Sequence, residues 1–522
     1  MNVCTSLRDK VTSVFDRCFF IVFIVLFFLI ATAGMIVVSI FGEFDTDNPL
    51  PYYLVIVRYL LIMLSFFAVG AILLWCCRFL TDDQRTVDNK RGVFTGTVLI
   101  SVGVIFLIQL VFAFCLRMEP ITDIAFVEGY AKEIAGSGSF DCIKSGFNDF
   151  YIVEYQNNLM YLLIMTGIYK LTYLLSGSFS QTPVIVLNTI ALNVSVLLTV
   201  LTAKTIFGRR KAILTLILCA MFAPYYSYGA YYYTDSFSIP FVIGSLYCFV
   251  VAVKCVSRKK IILFALSGAL CYIGFQIKGS VAVFLIAVLI YLVLQFGIKR
   301  AVKFVLPFVL SFVLLFGSFT AVIKASNIIP EELSERYQYP LTHWVMMGVN
   351  NVGGYERADS RYTASFPSKE EKIEANKELI HERLREQGFF GHLFHIGNKA
   401  VWTWMDGTYY IGYYLDNNVH WTPLHEWIHF DGRYRFIYYA WCGGYQMFLI
   451  LMMAYTGLTA CRRLKTDIMT LLRITVFGLW LFLLIWETNS RYPFNFSPLF
   501  MLLAAEGISE LSAKNIRLFK RK

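Results

Sequence analysis

Charge is scarce in this sequence: only 16% of its 522 residues are Asp, Glu, Lys or Arg, where a soluble domain carries about 25%. With 57% apolar side chains, that shortage excludes a soluble enzyme and leaves no room for a separate nucleotide-binding domain. There is no P-loop sequence and no CxxC pair, so phosphate cradling by a Gly-rich loop and zinc-ribbon or thioredoxin-type chemistry drop out. Gly136-Ser137-Gly138 is a flexible turn with no strand ahead of it. No internal repeat and no low-complexity tract is present. Of the 12 cysteines only Cys142 falls clearly in an expected outward loop, so no disulfide framework is expected.

What the chain does have is long apolar runs, near 18–41, 53–78, 94–117, 157–177, 184–206, 212–230, 236–256, 260–277, 280–298, 302–323, 437–460, 468–487 and 495–512. At about 20 residues per helical crossing, these predict an all-α polytopic membrane protein. Ala31-Thr32-Ala33 imitates a signal-peptide cleavage site, but the apolar run continues to Phe41, and an uncleaved first span is expected. The net charge of +11 sits in short loops: Arg78 to Arg91, Arg209-Arg210-Lys211, Arg258-Lys259-Lys260, Lys299-Arg300 with Lys303, Arg462-Arg463 and Lys520-Arg521-Lys522. Such clusters mark the cytoplasmic side, place both termini there, and serve topology and membrane lipids rather than nucleic acid.

Thirteen apolar segments and this charge pattern conflict in parity. The loop after 117 is outside and the 208–211 cluster is inside, so one of 157–177 and 184–206 must be re-entrant or juxtamembrane, leaving about twelve crossings. The expected organisation is a transmembrane module over 1–323 with a first external loop at 118–156, an extracytoplasmic loop domain at 324–436, and C-terminal spans over 437–522. The loop domain carries 12 Lys/Arg against 15 Asp/Glu. It contains a helical segment from Ser368 to Gln387, whose charges read mainly as a solvated face, and an aromatic stretch from Trp402 to Tyr414. Trp402 and Trp404 are expected in the small core of that external domain, because Trp is usually highly buried.

Candidate chemistry concentrates in the outward loops. Asp123 follows Glu119-Pro120-Ile121-Thr122 just outside a span, where a carboxylate can serve as general base beside the membrane surface; the structural alternative is a helix cap. Lys278, between two apolar runs, and Arg491, in Glu487-Thr488-Asn489-Ser490-Arg491-Tyr492, are cations where cations are costly. Snorkelling to the interface is the other account of Lys278. Glu487 precedes Arg491 by four residues, the spacing at which a helical carboxylate orients a cation. Tyr225, Tyr226, Tyr228, Tyr231, Tyr232 and Tyr233 lead to Asp235 and offer faces for a sugar or an isoprene unit, or an interfacial belt. His343, in Thr342-His343-Trp344, is a candidate substrate contact.

Three short motifs resemble the GT-C superfamily of polytopic glycosyltransferases, of the protein mannosyltransferase and aminoarabinose transferase type. They are the Pro-x-x-Asp step ending at Asp123 with the following Tyr130-Ala131 and Tyr155-Gln156-Asn157-Asn158, then Tyr232-Tyr233-Thr234-Asp235, then Glu487 to Tyr492. The resemblance implies transfer of a sugar from a polyprenyl-phosphate-linked donor, with inversion, to an extracytoplasmic acceptor that is a cell-wall polymer, a lipid-linked glycan or a protein. Asp123 is then the expected catalytic base with Glu119 beside it. Arg491, Lys278 and Tyr492 are expected at the donor phosphate, and Asp235, Tyr233, His343 and Glu487 at the substrate. Some relatives hold a metal at the second acidic residue, so a divalent cation on Asp123 and Asp235 is the one cofactor to consider.

Two other classes compete. A lipid-linked sugar flippase also needs many spans and intramembrane cations, but it predicts charges near the bilayer midplane and repeat halves. His425-Glu426-Trp427-Ile428-His429 matches H-E-x-x-H, which on a helix places two zinc ligands on one face with Glu426 as base. Arg435 occupies the position of a third histidine, however, and Pro423 and Gly432 leave little room for a long helix.

Overall fold

The computed structural model describes residues 7–40, 52–82, 91–351, 353–463 and 466–519. Phe41, the basic loop over 83–90 and the tail Lys520-Arg521-Lys522 lie outside the described residues. Three long helices open the chain, α1 (Leu7–Ile40), α2 (Tyr52–Asp82) and α3 (Arg91–Cys115). The loop that follows carries α4 (Thr122–Ser137) and leads to α5 (Leu159–Ser176) and α6 (Thr182–Phe207). Next come α7 (Arg209–Met221), α8 (Thr234–Lys254), α9 (Lys259–Ile277), α10 (Ala282–Phe296) and α11 (Ile298–Ser326). The long loop contributes α12 (Leu341–Gly348), α13 (Arg357–Ala364) and α14 (Lys369–Met405), and α15 (Arg435–Ala460), α16 (Ile468–Ile485) and α17 (Ser497–Phe519) complete the bundle. Among the described residues the one β-type pairing is an isolated bridge between Met118 and Asn418.

Eleven helices among the described residues are long and apolar enough to cross a membrane, and the chain is an all-α polytopic membrane protein. Leu64, Phe67, Trp75 and Phe79 of α2 are exposed on its outer surface. That exposure suits a solvent of lipid tails, in which an apolar face needs no cover. Inside, helices meet through small residues: a Cβ on Gly268 of α9 would stand 2.0 Å from the Phe308 carbonyl oxygen of α11, so these two backbones touch only because glycine is there.

The parity conflict resolves at α5. α6 runs antiparallel to α3 along its whole length: Lys204 lies over the Phe94 ring at 5.0 Å, Asn193 donates to the Val102 carbonyl at 3.0 Å, and Gln181 meets Arg117 at 3.3 Å. Segment 184–206 therefore crosses. α5 is tied along its length to the loop over 118–156, because Asn158 donates to Tyr151 at 2.9 Å and Lys170 donates to the Ala135 carbonyl at 2.8 Å. Phe179, just past α5, stacks on Tyr173 and covers Gly136. Apolar enough to span, α5 instead lies along α4 at one end of the bundle.

α7 has 13 residues, about 20 Å at 1.5 Å per residue, and the tyrosine-rich stretch after it completes the passage. α17 contains Glu506 and Glu510, which interrupt its hydropathy. The two run antiparallel between a Lys211–Glu506 ion pair and a Tyr225–Ser497 contact of 3.0 Å. With the ten remaining candidates they give twelve crossings among the described residues.

One expectation about the long loop is corrected. Ser368 caps α14 by accepting from the Glu371 N–H at 3.3 Å, as a Ser at this position does, and the helix kinks at Gly388, where φ is 57°. Beyond the kink it leaves the rest of the long loop and enters the bundle. Trp404 is buried against Phe23 of α1 and Phe500 of α17, so it belongs to the core of the bundle and not to a small external core. His392, His395 and Lys399 break up the hydropathy of this half-helix. Buried Lys399 is satisfied by the Gly348 carbonyl at 2.7 Å and the Leu484 carbonyl at 3.0 Å, the last turns of α12 and α16, where orphan carbonyls need donors.

Candidate active site

Four separated elements converge at the end of the bundle opposite the basic loops: the first turn of α4, the first turn of α8, the α9–α10 junction and the segment between α16 and α17. Thr122 holds φ at 50°, a conformation costing a β-branched residue about 1–3 kcal/mol, and it sets the start of α4 and the placement of Asp123. The cap position of α4 is Ile121, and the Asp123 carboxylate sits in the first turn beyond it. It accepts from the Tyr151 hydroxyl at 2.9 Å and from Arg491 Nη2 at 3.3 Å, so the helix-cap account of this residue does not hold. Tyr151 is in turn fixed by Asn158.

Arg491 is the centre of the cluster. Its Nη1 donates to the Tyr231 hydroxyl at 2.6 Å, and its guanidinium lies 5.1 Å from the Tyr233 ring centre and 5.3 Å from that of Tyr414. Tyr231 and Tyr414 stack on each other at 4.1 Å. Asp235 is fully buried, forms an ion pair with Lys278, and faces Arg491 Nε across 3.8 Å. Asp235 Oδ2 and Arg491 Nε are both buried without a hydrogen-bond partner. A buried polar atom in that state is rare, and here two of opposite sign face each other.

Lys278 does not snorkel. It lies 4.6 Å over the Tyr492 ring, and burial pushes its ammonium down from the ordinary lysine range, with Asp235 opposing. Tyr492 donates to Glu487 Oε2 at 2.7 Å. Burial raises the Glu487 carboxyl above its ordinary range, with the bond from Tyr492 and the charge of Arg491 opposing. The expected Glu487–Arg491 orientation is thus replaced by a Glu487–Tyr492 bond. Helix α16 ends at Ile485 and Trp486 is extended, so helical spacing does not apply. Arg491 is positioned from behind instead, because Asp406 accepts from Ser490 at 3.0 Å and from the Tyr410 N–H at 2.8 Å. The same contacts hold Tyr409 and Tyr410 at φ of 55° and 66°.

The tyrosines are not an interfacial belt: Tyr225, Tyr228, Tyr231, Tyr232 and Tyr233 are all buried. Tyr232 donates to Glu128 at 2.6 Å. Glu128, missed in the sequence because it lies mid-helix among ordinary residues, also pairs with Lys132 at 2.5 Å.

Two expected residues stand apart. Glu119 is bonded to Gln181 at 3.3 Å and its backbone pairs with Asn417, which turns it from the Arg491 cluster. His343 is buried in the long loop between α11 and α15, 2.8 Å from Thr363 and stacked on Tyr339. Burial pushes its imidazole down to about 4. Its neutral form is therefore the folded one: stability is full above the unfolded value near 6.5, and protonating the unfolded chain removes it as pH falls from there to about 4. The native protein is expected to lose up to about 3 kcal/mol over that window through this group. His343→Gln should flatten that part of the profile, read as thermal unfolding at pH 7.5 and pH 5.

A divalent cation does not fit the acidic pair. The Arg491 guanidinium already lies between Asp123 and Asp235, Lys278 takes the remaining Asp235 oxygen, and no group of three or more His, Cys, Asp or Glu side chains suited to a metal occurs among the described residues. The H-E-x-x-H segment fails as a zinc site for a different reason. Its helix is one turn, His425–Ile428, and His429 is extended. The Nδ1 atoms accept backbone N–H bonds, from Thr422 and Asp431, each at 3.0 Å. The protons of the neutral rings are then on Nε2, and neither nitrogen offers a metal a lone pair. Glu426 is engaged by Trp421 at 2.8 Å and by the Arg433 N–H at 3.1 Å.

Comparison with known proteins gives three findings. The crystal structure of ArnT from Cupriavidus metallidurans bound to undecaprenyl phosphate aligns with a TM-score of 0.35 and 11% identity, covering 79% of this chain and 78% of that one. No curated protein matches the sequence. Residues 9–511 match the family described as conserved hypothetical integral membrane protein, and the chain belongs to that family.

Proposed function

We propose that this protein is a membrane glycosyltransferase that moves a sugar from a polyprenyl-phosphate donor to an acceptor hydroxyl on the extracytoplasmic side. The observation that carries the reading is Arg491: a buried guanidinium with one unpartnered N–H, backed by Lys278 and facing a half-exposed carboxylate on Asp123. A phosphodiester donor has one negative charge, and its leaving group, a phosphate monoester, acquires a second. Preorganised cations stabilise that developing charge most strongly where water is excluded.

In the reaction the acceptor oxygen attacks the anomeric carbon, its proton passes to Asp123, and the bond from the anomeric carbon to the phosphate oxygen breaks with both electrons leaving on phosphate. Attack opposite the leaving group inverts the anomeric centre. Asp235 holds Lys278 and Arg491 in place, and Glu487 holds Tyr492 beneath Lys278. Asp123 is the open side of the cluster, with 34% of its side chain exposed against 9% for Arg491, which suits acceptor arrival there. The positive loops at the opposite end support an extracytoplasmic position for this site.

The test is the envelope glycan composition of cells lacking the protein, complemented with the native chain or with Asp123→Asn at matched expression. One sugar should vanish in the deletion, return with the native chain and stay absent with the variant. Full restoration by Asp123→Asn removes the base assignment. An unchanged glycan profile in the deletion removes the transferase reading.

A further inference from the structure

A cavity of about 180 Å³ lies at the joint between the loop over 118–156 and the long loop. Its walls come from the one-turn helix Tyr151–Glu154, the helix Glu331–Tyr337, the stretch 364–367 at the end of α13 and the first turn of α14. The two loops are locked together there. Phe150 stacks on Tyr337 at 4.3 Å, Gln156 donates to Ser334 at 2.9 Å, and the Tyr339 N–H donates to the Glu154 carbonyl at 3.2 Å. Asn148, Asp149 and Phe150 hold φ of 48°, 53° and 61° in succession, a costly run that persists only where its surroundings over-determine it and that is commonest at ligand sites. This run sets the start of the one-turn helix. Tyr151, at one end of that helix, donates to Asp123 at 2.9 Å, and Glu154, at the other, lines the cavity. Tyr155 continues the link, packing on Tyr151 at 4.8 Å and edge-on to Tyr339 at 5.2 Å.

Glu154, Arg336 and Lys372 all line this cavity, yet among the described residues no ion pair joins any two of them. Lys372 is buried and donates to the Arg336 carbonyl, while the exposed Arg336 guanidinium lies 5.4 Å over the Tyr337 ring. Burial pushes the Glu154 carboxyl up to about 7, with the charge of Lys372 and a bond from Tyr339 opposing. Opposite charges that share a cavity without closing on each other leave space between them for a group that both donates and accepts. A carboxylate accepts at about four lone-pair sites and a guanidinium offers five N–H donors, so neither is exhausted by the contacts it has. Phe366 supplies an apolar ring face in the same wall. A sugar ring meets all three, through hydroxyls that donate to Glu154, hydroxyls that accept from Arg336, and a C–H face for Phe366. We propose that this cavity holds a sugar unit of the acceptor, so that the acceptor is a glycan selected by Glu154, Arg336 and Phe366 while its reacting hydroxyl reaches Asp123. The assignment rests on the transferase reading. A peptide acceptor is disfavoured, because no strand edge is present among the described residues to pair with an extended chain.

The test uses full-length protein, the lipid-linked form of the sugar that the deletion strain lacks, and as acceptor the glycan extract of that strain's envelope. Acceptor KM should rise about tenfold in Glu154→Gln and in Phe366→Ala, the loss of one charged hydrogen bond or one ring contact, and by more than kcat falls. Phe366→Tyr keeps the ring and should stay near native, which controls for misfolding. Protease digestion of the extract should leave transfer intact. Retention of the labelled extract on the protein without donor should weaken in the same two variants. Native acceptor KM in both variants, or transfer lost on protease digestion, overturns the cavity assignment and leaves the transferase reading standing. Variant-sensitive retention with no transfer by the native protein overturns the transferase reading and keeps the cavity as a glycan site. Neither retention nor transfer overturns both.

Discussion

Arg491→Gln should lower sugar transfer by on the order of 10²–10³-fold, the usual consequence of removing one preorganised donor to a developing anion. The reason is position as well as charge. Arg491 is clamped by the Tyr231 hydroxyl at 2.6 Å and by the rings of Tyr233 and Tyr414, so its fork costs little to aim when the phosphate charge grows. Arg491→Lys keeps the charge but lacks the planar fork, and it should recover only part of the rate. Removing the guanidinium also leaves Asp235 buried with Lys278 alone. A fall in stability of about 3–5 kcal/mol, the cost of breaking a buried pair, is the competing explanation for lost activity. The two effects separate by measuring single-turnover transfer on folded, monodisperse protein together with its Tm. If folded Arg491→Gln protein transfers sugar within about tenfold of native, Arg491 does not face the leaving phosphate.

How much of this site was legible in the sequence depended on charge. Lys278 and Arg491 stood out because a cation beside an apolar run is expensive, Asp123 and Asp235 through short motifs that resemble those of GT-C enzymes, and the structure brings all four together. Tyr151, Asn158, Tyr414 and Glu128 did not, since a tyrosine in a loop or a glutamate in an amphipathic helix carries no such cost until its neighbours are known. Errors came from applying local rules across a boundary. Glu487 and Arg491 have helical spacing on a stretch that is not helical, whereas Pro423 and Gly432 had already marked the H-E-x-x-H segment as too short a helix for its histidines to share a face. Counting charges between spans showed that one of 157–177 and 184–206 could not cross. Which one was hidden, because α5 is as apolar as a span, and the ties that hold it flat, from Asn158 and Lys170, reach residues elsewhere in the chain. Trp404 was misplaced for a related reason, since the glycine at 388 lets α14 turn out of the long loop into the bundle.

Asp123→Asn should be as damaging as the loss of Arg491, with transfer reduced by about 10²–10⁴-fold, the span of general-base contributions. The substitution is nearly isosteric. The amide oxygen can still accept from Tyr151, so the arrangement of Tyr151, Asn158 and Tyr233 should persist and Tm should move little. What disappears is the proton acceptor and the anionic partner of Arg491. These have opposite consequences, which makes the variant informative: freed of its contact with Asp123, Arg491 should bind the donor phosphate at least as tightly as before, while turnover collapses. Asp123→Glu restores a carboxylate displaced by one methylene and should recover part of kcat. A flippase gives a different outcome, because it needs the cations and not the base. Movement of lipid-linked sugar across reconstituted vesicles would then survive Asp123→Asn and fail in Lys278→Ala. Donor affinity and turnover measured side by side decide between them: retained binding with lost turnover assigns proton abstraction to Asp123, whereas native turnover in the variant leaves the acceptor hydroxyl without its base and sinks the mechanism.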